Sequence, residues 1–311
     1  MAITRKVLTL KIKEKALDLG FNLCGIAESR ALSEYEHMLK KWCNSGMNGK
    51  LNYLGQNIEK RVNPCLLFPG VKSIVVTGMN YFTPKKQVKN QVPVLSRYAY
   101  GENYHDVIKR RLNILFDFIR NIEPETVGNA YVDSAPLLEK AWAREAGIGW
   151  QGRHSIVIND KIGSFFFIGI LVLNIDLEYD DPFSKDYCGD CRICIDQCPT
   201  GAINENRTID TRKCIAYLTI ENRGSLPEEI IPKMGRRIFG CDKCQEVCPW
   251  NKNARSHGIS EFNLSEEVQK MTLEEWQNLT KEKYTRLFKK SAIGRTKYDL
   301  LIRNILAVTK S

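Results

Sequence analysis

CGDCRICIDQCPTGAI, residues 188–203, places four cysteines within eleven residues, and a shorter run, CDKCQEVCPWN, follows at residues 241–251. Together the two runs hold seven of the chain's eleven cysteines. The first run reads C-x2-C-x2-C-x3-C-P, which is the bacterial ferredoxin spacing for a [4Fe-4S] cluster. Three thiolates on one tight loop can reach three corners of a cubane, and the proline after the fourth cysteine turns the chain away. The pattern therefore predicts an iron–sulfur centre.

The second run lacks one cysteine of the full pattern, and Cys214 completes a set of eight. In two-cluster ferredoxins the fourth cysteine of such a run ligates the other cluster. This crossover rule predicts one cluster on Cys188, Cys191, Cys194 and Cys248. By elimination, the second cluster is predicted on Cys198, Cys214, Cys241 and Cys244.

Structural zinc and disulfides are the alternatives for such cysteine runs. Zinc sites use C-x2-C pairs but do not require the C-x3-C-P ending, so the spacing favours clusters. The remaining cysteines, Cys24, Cys43 and Cys65, stand alone and are expected to be buried or incidental thiols.

The composition is that of a soluble globular protein, with 43% hydrophobic and 26% charged residues among 311. The N-terminus has no apolar segment followed by a cleavage site, and the longest apolar run, SFFFIGILVL, is about half the length that a membrane span needs. We therefore expect a cytoplasmic protein with no membrane association, where clustered cysteines are more often metal ligands than disulfides. The net charge of +10 suits a polyanionic partner.

The pattern of apolar residues predicts the fold class α+β: an N-terminal α/β domain with a partly antiparallel sheet, a ferredoxin-like domain and a short helical C-terminal segment. The expected boundaries are 1–180, 181–255 and 256–311. The elements predicted in the N-terminal part are helices over about 5–19, 33–45, 105–122 and 135–147, strands over 71–82 and 130–133, and a hairpin joining strands 154–160 and 163–175 at Asn159-Asp160.

The N-terminal part contains neither a G-x-G-x-x-G fingerprint nor a P-loop, but it contains YVDSAPLLEKAWAREAGIGWQGRHSIVIN at 131–159. Asp133 follows a short strand, just before a helix expected to begin near Ser134 or Ala135. The carboxylate at that place is either an N-cap or a functional group. The glycines at 147, 149 and 152 are expected to let the backbone approach a large flat ligand.

At these residues the chain resembles the epoxyqueuosine reductase family of cobalamin-dependent iron–sulfur enzymes. The resemblance covers nearly the whole chain and rests on SRYAYGENYHDVIKRRL, on the 131–159 segment, on CIAYLTIENRG and on the two cysteine runs. It implies an oxidoreductase that reduces epoxyqueuosine to queuosine at the wobble position of tRNA, the last step of queuosine biosynthesis. It also implies a base-off cobalamin in an N-terminal domain of reductive-dehalogenase-like type, fed by two [4Fe-4S] clusters, with Asp133 as the proton donor.

The resemblance also implies cofactor-binding and tRNA-binding residues. Asp133, Arg97, His154, Ser155 and Asn159 are expected to contact the corrin or its tail, with His154 on amide or tail groups rather than on cobalt. The basic side chains expected to bind tRNA are Arg223, Arg236, Arg237, Lys289 and Lys290.

The partners implied are a tRNA carrying epoxyqueuosine in its anticodon loop and an external low-potential electron donor, with a monomeric protein. The helical-repeat domain that many family members carry at the C-terminus is expected to be missing. Two other functions remain open on the residues alone. One is a cobalamin reductase of another substrate, such as an organohalide, and the other is a non-enzymatic electron carrier or zinc-stabilised RNA-binding protein.

Overall fold

The computed structural model describes residues 3–87 and 92–309. Its strands are β1 (Leu23–Glu28), β2 (Ser73–Asn80), β3 (Val94–Leu95), β4 (Gly128–Tyr131), β5 (Trp150–Gln151), β6 (Val157–Ile158), β7 (Phe166–Leu173) and β8 (Arg237–Phe239). Its α-helices are α1 (Arg5–Asp18), α2 (Glu34–Asn44), α3 (Ile58–Val62), α4 (Tyr104–Ile122), α5 (Glu139–Glu145), α6 (Ile193–Asp196), α7 (Ile215–Ile220), α8 (Ile231–Met234), α9 (Lys243–Glu246), α10 (Glu266–Lys270), α11 (Leu273–Gln277), α12 (Lys281–Phe288) and α13 (Tyr298–Thr309).

A four-stranded sheet of order β1-β2-β7-β4 forms the centre of the N-terminal part. All its neighbouring strands are antiparallel. Strand β2 lies between two others and is buried along its whole length, as its apolar, β-branched sequence predicts. The predicted sheet was only partly antiparallel; the parallel pairing found is that of the short strands β3 and β8, outside this sheet.

The two faces of the sheet are covered by different helices. Val75 and Leu171 face a core that includes the apolar side of α1 and α4, while the alternate residues Val76 and Ile170 face a core that includes α5. This period-2 alternation lets one pair of strands supply two cores. Helix α4 buries its apolar stripe against the sheet and is capped by Asn103, whose side chain accepts the His105 N–H.

Helices α1, α2 and α4 and strand β2 confirm the corresponding predictions. The predicted hairpin at Asn159-Asp160 is wrong in its pairing, because β6 pairs with β5 while β7 pairs with β2 and β4. Two backbone hydrogen bonds between Asn159 and Gly163 are the part of that turn that is present.

A third core joins the cysteine-rich part to the C-terminal helices. It combines residues 92–100 with α7, β8 and the helices from α10 onward. Asn304 of α13, fully buried, donates hydrogen bonds to the carbonyl oxygens of Thr219 and Ile238. Because this core uses residues from both sides of the predicted boundaries at 180 and 255, the three segments share packing. The domain boundaries themselves stay a prediction.

None of the helices in the described ranges combines the length and apolar character that crossing a membrane requires.

Candidate functional site

The first predicted cysteine quartet comes together around the loop before α6. Burial, then the charges of Cys248, Cys188 and Cys191, raise the pKa of the Cys194 thiol to about 11. Such effects fall with distance, so these four sulfurs lie near one another. Cys188 and Cys248 also pack against Trp150 in one apolar cluster. Their role as ligands stays a prediction.

The second predicted quartet lies beside the first. Burial, then the charges of Cys241 and Cys214, raise the pKa of Cys244. Burial also raises the pKa of Cys214, and the charge of Cys198 adds to that shift. The charge of Cys194, in the first quartet, also raises the pKa of Cys244. The structure thus brings the eight cysteines together in two adjacent groups. Cys24 and Cys43 are half-buried elsewhere and Cys65 is exposed.

The environment of the sulfurs fits iron–sulfur clusters, which are bound by thiolates that accept N–H groups. Cys198 Sγ lies 3.4 Å from the Ala202 backbone nitrogen, and Cys188 Sγ lies 3.4 Å from the Trp150 indole nitrogen. A zinc site would instead gather its ligands around one ion.

Asp133 lies just beyond β4, in a left-handed backbone conformation with φ 52°. Its side chain is 66% exposed, and its Oδ2 accepts the Tyr104 hydroxyl at 2.9 Å. Its backbone N–H donates to Glu139 Oε1 at 2.5 Å. The N-cap alternative is wrong, because α5 begins at Glu139 after Leu138, four residues later than expected.

Glu139 and Lys140 at the start of α5 form a charged group with Asp133. Burial, then the charge of Asp133, raise the pKa of Glu139 to about 8. Lys140 Nζ donates to the Ser155 carbonyl at 2.9 Å. Burial lowers the pKa of Lys140, and the charges of Asp133, Glu139 and Cys244 oppose that shift. Acid, amine and second quartet are therefore neighbours.

Tyr104 and His105 at the start of α4 complete what we call the Asp133 site: Asp133, Glu139, Lys140, Tyr104 and His105. The Tyr104 ring stacks on Phe167, with centroids 4.3 Å apart. His105 Nε2 lies 3.9 Å from Asp133 Oδ2 and 3.1 Å from Arg295. Burial and the charge of Arg295 lower the His105 pKa, which Asp133 partly offsets. 

Sequence reasoning missed Glu139, Lys140, Tyr104, His105 and Arg295. The first four fall inside segments that carry the family resemblance, which was the available signal. No local spacing links Tyr104 or Arg295 to Asp133.

His154 is buried, and its ring offers one free polar atom. Its Nδ1 accepts the Ile156 N–H at 3.2 Å, while Nε2 has no partner among the described residues. Burial, then the charge of Lys140, lower the His154 pKa to about 4, so the ring is neutral at pH 7. A neutral ring whose Nδ1 accepts carries its proton on Nε2. The free atom is thus a donor, which suits an amide oxygen of a bound group and not a metal.

Ser155 and Asn159 are held by the protein itself. Ser155 has φ 64°, and its hydroxyl accepts from Gln151 at 3.0 Å. Asn159 donates to the Ile148 carbonyl and accepts two backbone N–H groups of its own turn. These contacts explain Asn159 as a turn residue; its predicted cofactor contact stays a prediction.

Gly147 and Gly149 are required by internal packing, and the expected approach of a flat ligand to this segment stays a prediction. A Cβ at Gly149 would lie 2.0 Å from the Ile158 carbonyl oxygen, and one at Gly147 would lie 2.9 Å from that of Asp181. Gly147 also has φ 69°, which favours glycine.

Arg97 lies outside the Asp133 site, paired with carboxylates of the second cysteine run, and its predicted corrin contact stays a prediction. Its guanidinium is 6% exposed and lies 3.1 Å from Asp242 and 2.9 Å from Glu246. Its backbone N–H also donates to Asp242 at 2.9 Å. Both carboxylates belong to the second cysteine run. A buried arginine persists where it is paired in this way, so Arg97 supports that run.

The basic residues predicted to bind tRNA lie in different surroundings. Lys289, Lys290 and Arg223 are exposed, and the Lys290 carbonyl accepts the Asn103 N–H, next to Tyr104. Arg236 and Arg237 are half-buried and line an open groove of about 250 Å³ that Arg97 also borders. The backbone of Lys290 thus contacts the residue before Tyr104, whereas Arg236 and Arg237 neighbour the second cysteine run.

Two family models match the chain. Residues 61–134 match "Epoxyqueuosine reductase QueG, DUF1730", and residues 187–251 match "4Fe-4S double cluster binding domain". The second match contains all eight cysteines of the two quartets, so the pattern of two iron–sulfur clusters is confirmed at the level of the domain.

Relatives match over nearly the full length. An epoxyqueuosine reductase of Leadbetterella byssophila is 45% identical over 298 residues, which are 96% of this chain and 97% of that protein. A solved epoxyqueuosine reductase with an epoxyqueuosine-modified tRNA-Tyr stem loop is 29% identical, with a TM-score of 0.90 over 97% of this chain and 80% of that one. A Bacillus subtilis epoxyqueuosine reductase, described with its catalytic aspartate loop swung out of the active site, is 28% identical, with a TM-score of 0.89 over 97% and 80%.

Proposed function

This chain belongs to the epoxyqueuosine reductase family, and we propose that it reduces epoxyqueuosine to queuosine in tRNA with Asp133 as the proton donor. The identity of 45% over 96% of the chain establishes the family. The single observation that supports the residue assignment is that Lys140, which follows the Asp133 partner Glu139, is subject to the charges of Asp133, Glu139 and Cys244 alike. An acid and an electron-carrying quartet thus meet at one place.

The reaction converts an epoxide into an alkene. It consumes two electrons and two protons and releases the epoxide oxygen as water. The oxygen must be protonated as its bonds to carbon break, so the site needs a proton donor next to the substrate. The exposed Asp133 carboxyl, held by the Tyr104 hydroxyl at 2.9 Å, can reach a bound substrate. The catalytic aspartate loop of the Bacillus subtilis relative supports this assignment.

The cofactors are two [4Fe-4S] clusters and cobalamin. The residues that would hold the corrin are His154, through its free Nε2–H donor, together with Ser155 and Lys140. A buried donor without a partner calls for an acceptor, which the amide-rich corrin periphery provides. When bound, cobalamin supplies a centre that accumulates two electrons from one-electron carriers. The reductive-dehalogenase-like type of this domain stays a prediction.

The position of each quartet assigns it a place in the electron path. The loop of the first quartet is at the surface, where Tyr187 and Ile193 are 41% and 42% exposed. The charge of Cys244 in the second quartet raises the pKa of Lys140 in the Asp133 site, against the effect of burial. We therefore assign electron uptake from an external low-potential donor to the first quartet and delivery to the second.

The tRNA contacts follow from charge. Phosphates are bound by Lys and Arg, and Lys289, Lys290 and Arg295 lie beside the Asp133 site, on the residues that follow α12. Arg223 stands near Arg303 and can extend this surface. Arg236 and Arg237 would contact tRNA only if the anticodon arm also covered the groove at the second cysteine run. A monomeric, cytoplasmic enzyme completes the proposal.

The test is turnover by the reconstituted protein. Anaerobically loaded enzyme, cobalamin and a low-potential reductant are incubated with tRNA carrying epoxyqueuosine, and digested nucleosides are analysed by mass. Conversion to queuosine is expected. A protein that carries both clusters and cobalamin, binds this tRNA and still leaves epoxyqueuosine unchanged would contradict the proposal.

A further inference from the structure

The indole of Trp150 donates its N–H to a predicted cluster ligand. Trp150 is 2% exposed, and its Nε1 lies 3.4 Å from Cys188 Sγ. A buried indole N–H normally finds an acceptor, and this sulfur is the acceptor that the structure shows. Trp142 and Trp276 are also buried, but their indole N–H groups have no partner among the described residues. The contact therefore distinguishes Trp150 from the other buried indoles.

Other aromatic rings hold this indole in place. Trp250, Tyr187 and Phe183 surround Trp150 with ring centroids at 4.9, 5.1 and 5.6 Å. Trp150 lies in β5 of the N-terminal part, whereas Cys188 lies in the cysteine-rich part, so the contact joins the two. A ring fixed on several sides keeps its N–H directed at the sulfur at little entropic cost.

We propose that Trp150 tunes the reduction potential of the cluster bound by the first quartet. This inference rests on the proposed function, because it needs Cys188 as a cluster ligand. Reduction of a [4Fe-4S] cluster adds one electron, taken from the external low-potential donor, and places more negative charge on its sulfurs. An N–H donated to such a sulfur stabilises the reduced state more than the oxidised one and raises the potential.

The same aromatic rings exclude water, and this lowers the reduction potential. The reduced cluster carries one more negative charge than the oxidised cluster, so a low dielectric destabilises it more. The two effects separate by substitution. Trp150→Phe removes the donor and keeps an aromatic ring, whereas Trp250→Phe alters the neighbouring ring and leaves the Trp150 donor intact. Trp250→Phe is therefore the matched control for packing.

The experiment is an anaerobic redox titration of the iron–sulfur protein with dithionite, followed by EPR of the reduced clusters, with iron and sulfide measured for each variant. In Trp150→Phe one midpoint is expected to become more negative. The expected change is about tenfold in the ratio of reduced to oxidised cluster at a fixed potential, about 59 mV for a one-electron couple. The midpoint potential of the other cluster is expected to stay unchanged. Trp250→Phe is expected to shift the midpoint of the first cluster less than Trp150→Phe does.

Unchanged midpoints in Trp150→Phe at full iron content would overturn the inference, and so would an equal shift in Trp250→Phe. A wild-type protein that never binds iron would instead contradict the proposed function. If Trp150→Phe loses its iron, pulsed EPR of the wild-type protein labelled with ¹⁵N at the indole nitrogens decides. A ¹⁵N coupling to a reduced cluster that persists in Trp250→Phe supports the contact, and its absence overturns it.

Discussion

Asp133 can be replaced by asparagine without loss of its backbone conformation or its side-chain contact. The replacement removes only the acidic proton. Asparagine tolerates the left-handed region and retains an oxygen that accepts the Tyr104 hydroxyl. Asp133→Asn is therefore expected to preserve cluster and cobalamin content and to lower turnover by roughly 10²- to 10⁴-fold, the range typical of a lost general acid. Single-turnover conversion of epoxyqueuosine tRNA, followed by mass, measures this.

Asp160→Asn is the matched control, because Asp160 is exposed in a turn and does not contact Asp133. It is expected to turn over at the wild-type rate. Near-normal conversion by Asp133→Asn would remove Asp133 from the role of proton donor.

Glu139 gives a prediction on pH and stability. Burial and the charge of Asp133 raise its pKa from 4.5 to about 8, so the folded protein binds this proton more tightly than the unfolded chain does. Stability therefore falls as pH rises from 4.5 to about 8, where the folded protein gives up the proton. Glu139→Gln has no such proton and keeps an acceptor for the Asp133 N–H. The wild type is expected to lose stability relative to this variant over that window.

Anaerobic thermal unfolding of both proteins between pH 5 and 8.5 measures the difference. If the gap in melting temperature between wild type and Glu139→Gln is the same at every pH, the raised Glu139 pKa is incorrect.

Residues differ in how well the sequence predicts their roles, and the difference follows the range of their contacts. The cysteine runs were predictable because the ligands of one loop have a fixed short spacing. The ion pairs of Arg97 were not predicted, since its partners Asp242 and Glu246 lie more than 140 residues away in the chain. Tyr104 and Arg295 were missed for the same reason: each reaches the Asp133 site only through tertiary packing.

Arg97 also shows how one side chain fixes an element, here α9 and the cysteines around it. Removing its charge would leave Asp242 buried with the backbone N–H of residue 97 but without its cationic partner, and breaking a buried ion pair in this way costs about 3–5 kcal/mol. Arg97→Met is therefore expected to lower the melting temperature by several degrees and to release iron from the second quartet. Thermal unfolding and iron content per protein measure both effects.

Lys86→Met is the control for this prediction. Lys86 also pairs with Glu246, but its side chain is 57% exposed, and exposed pairs contribute about 1 kcal/mol or less. A loss of iron in Lys86→Met equal to that in Arg97→Met would contradict a special role for the buried pair.

The longer elements were predictable and the short ones were not. Helix α4 carries a strong periodic pattern over 19 residues, and strand β2 an apolar, β-branched run within 8 residues. The start of α5 was misplaced because residues 134–138 look helical by composition, whereas the left-handed Asp133 and the bond from its N–H to Glu139 hold them as a loop. The two-residue strands β5 and β6 are too short to leave a pattern, so their pairing could not be read from the sequence.

At the scale of the whole molecule, the hydrophobic cores extend across the predicted boundaries at 180 and 255. Residues 92–100 belong to the core of the C-terminal helices, and Phe262 belongs to the core of the N-terminal sheet. This mutual packing brings the second quartet beside the Asp133 site, since β3 pairs with β8 just before Cys241. The order of the three segments was predictable from composition. The contribution of each segment to the core of another depends on tertiary contacts, which cannot be predicted from one segment alone.

The net charge of +10 supports tRNA binding at a particular place only if specific lysines are shown to bind the phosphates. If Lys289 and Lys290 bind phosphates, each contributes about one unit to the slope of log affinity against log salt. The double variant Lys289→Glu and Lys290→Glu is expected to weaken tRNA binding strongly and to reduce that slope by about two, while turnover at saturating tRNA stays near wild type. Lys6→Glu with Lys11→Glu changes the net charge equally on the exposed side of α1 and is expected to leave the slope unchanged. An equal loss of affinity in both double variants would mean that tRNA responds to the total charge of the protein, and the contact beside the Asp133 site would then be refuted.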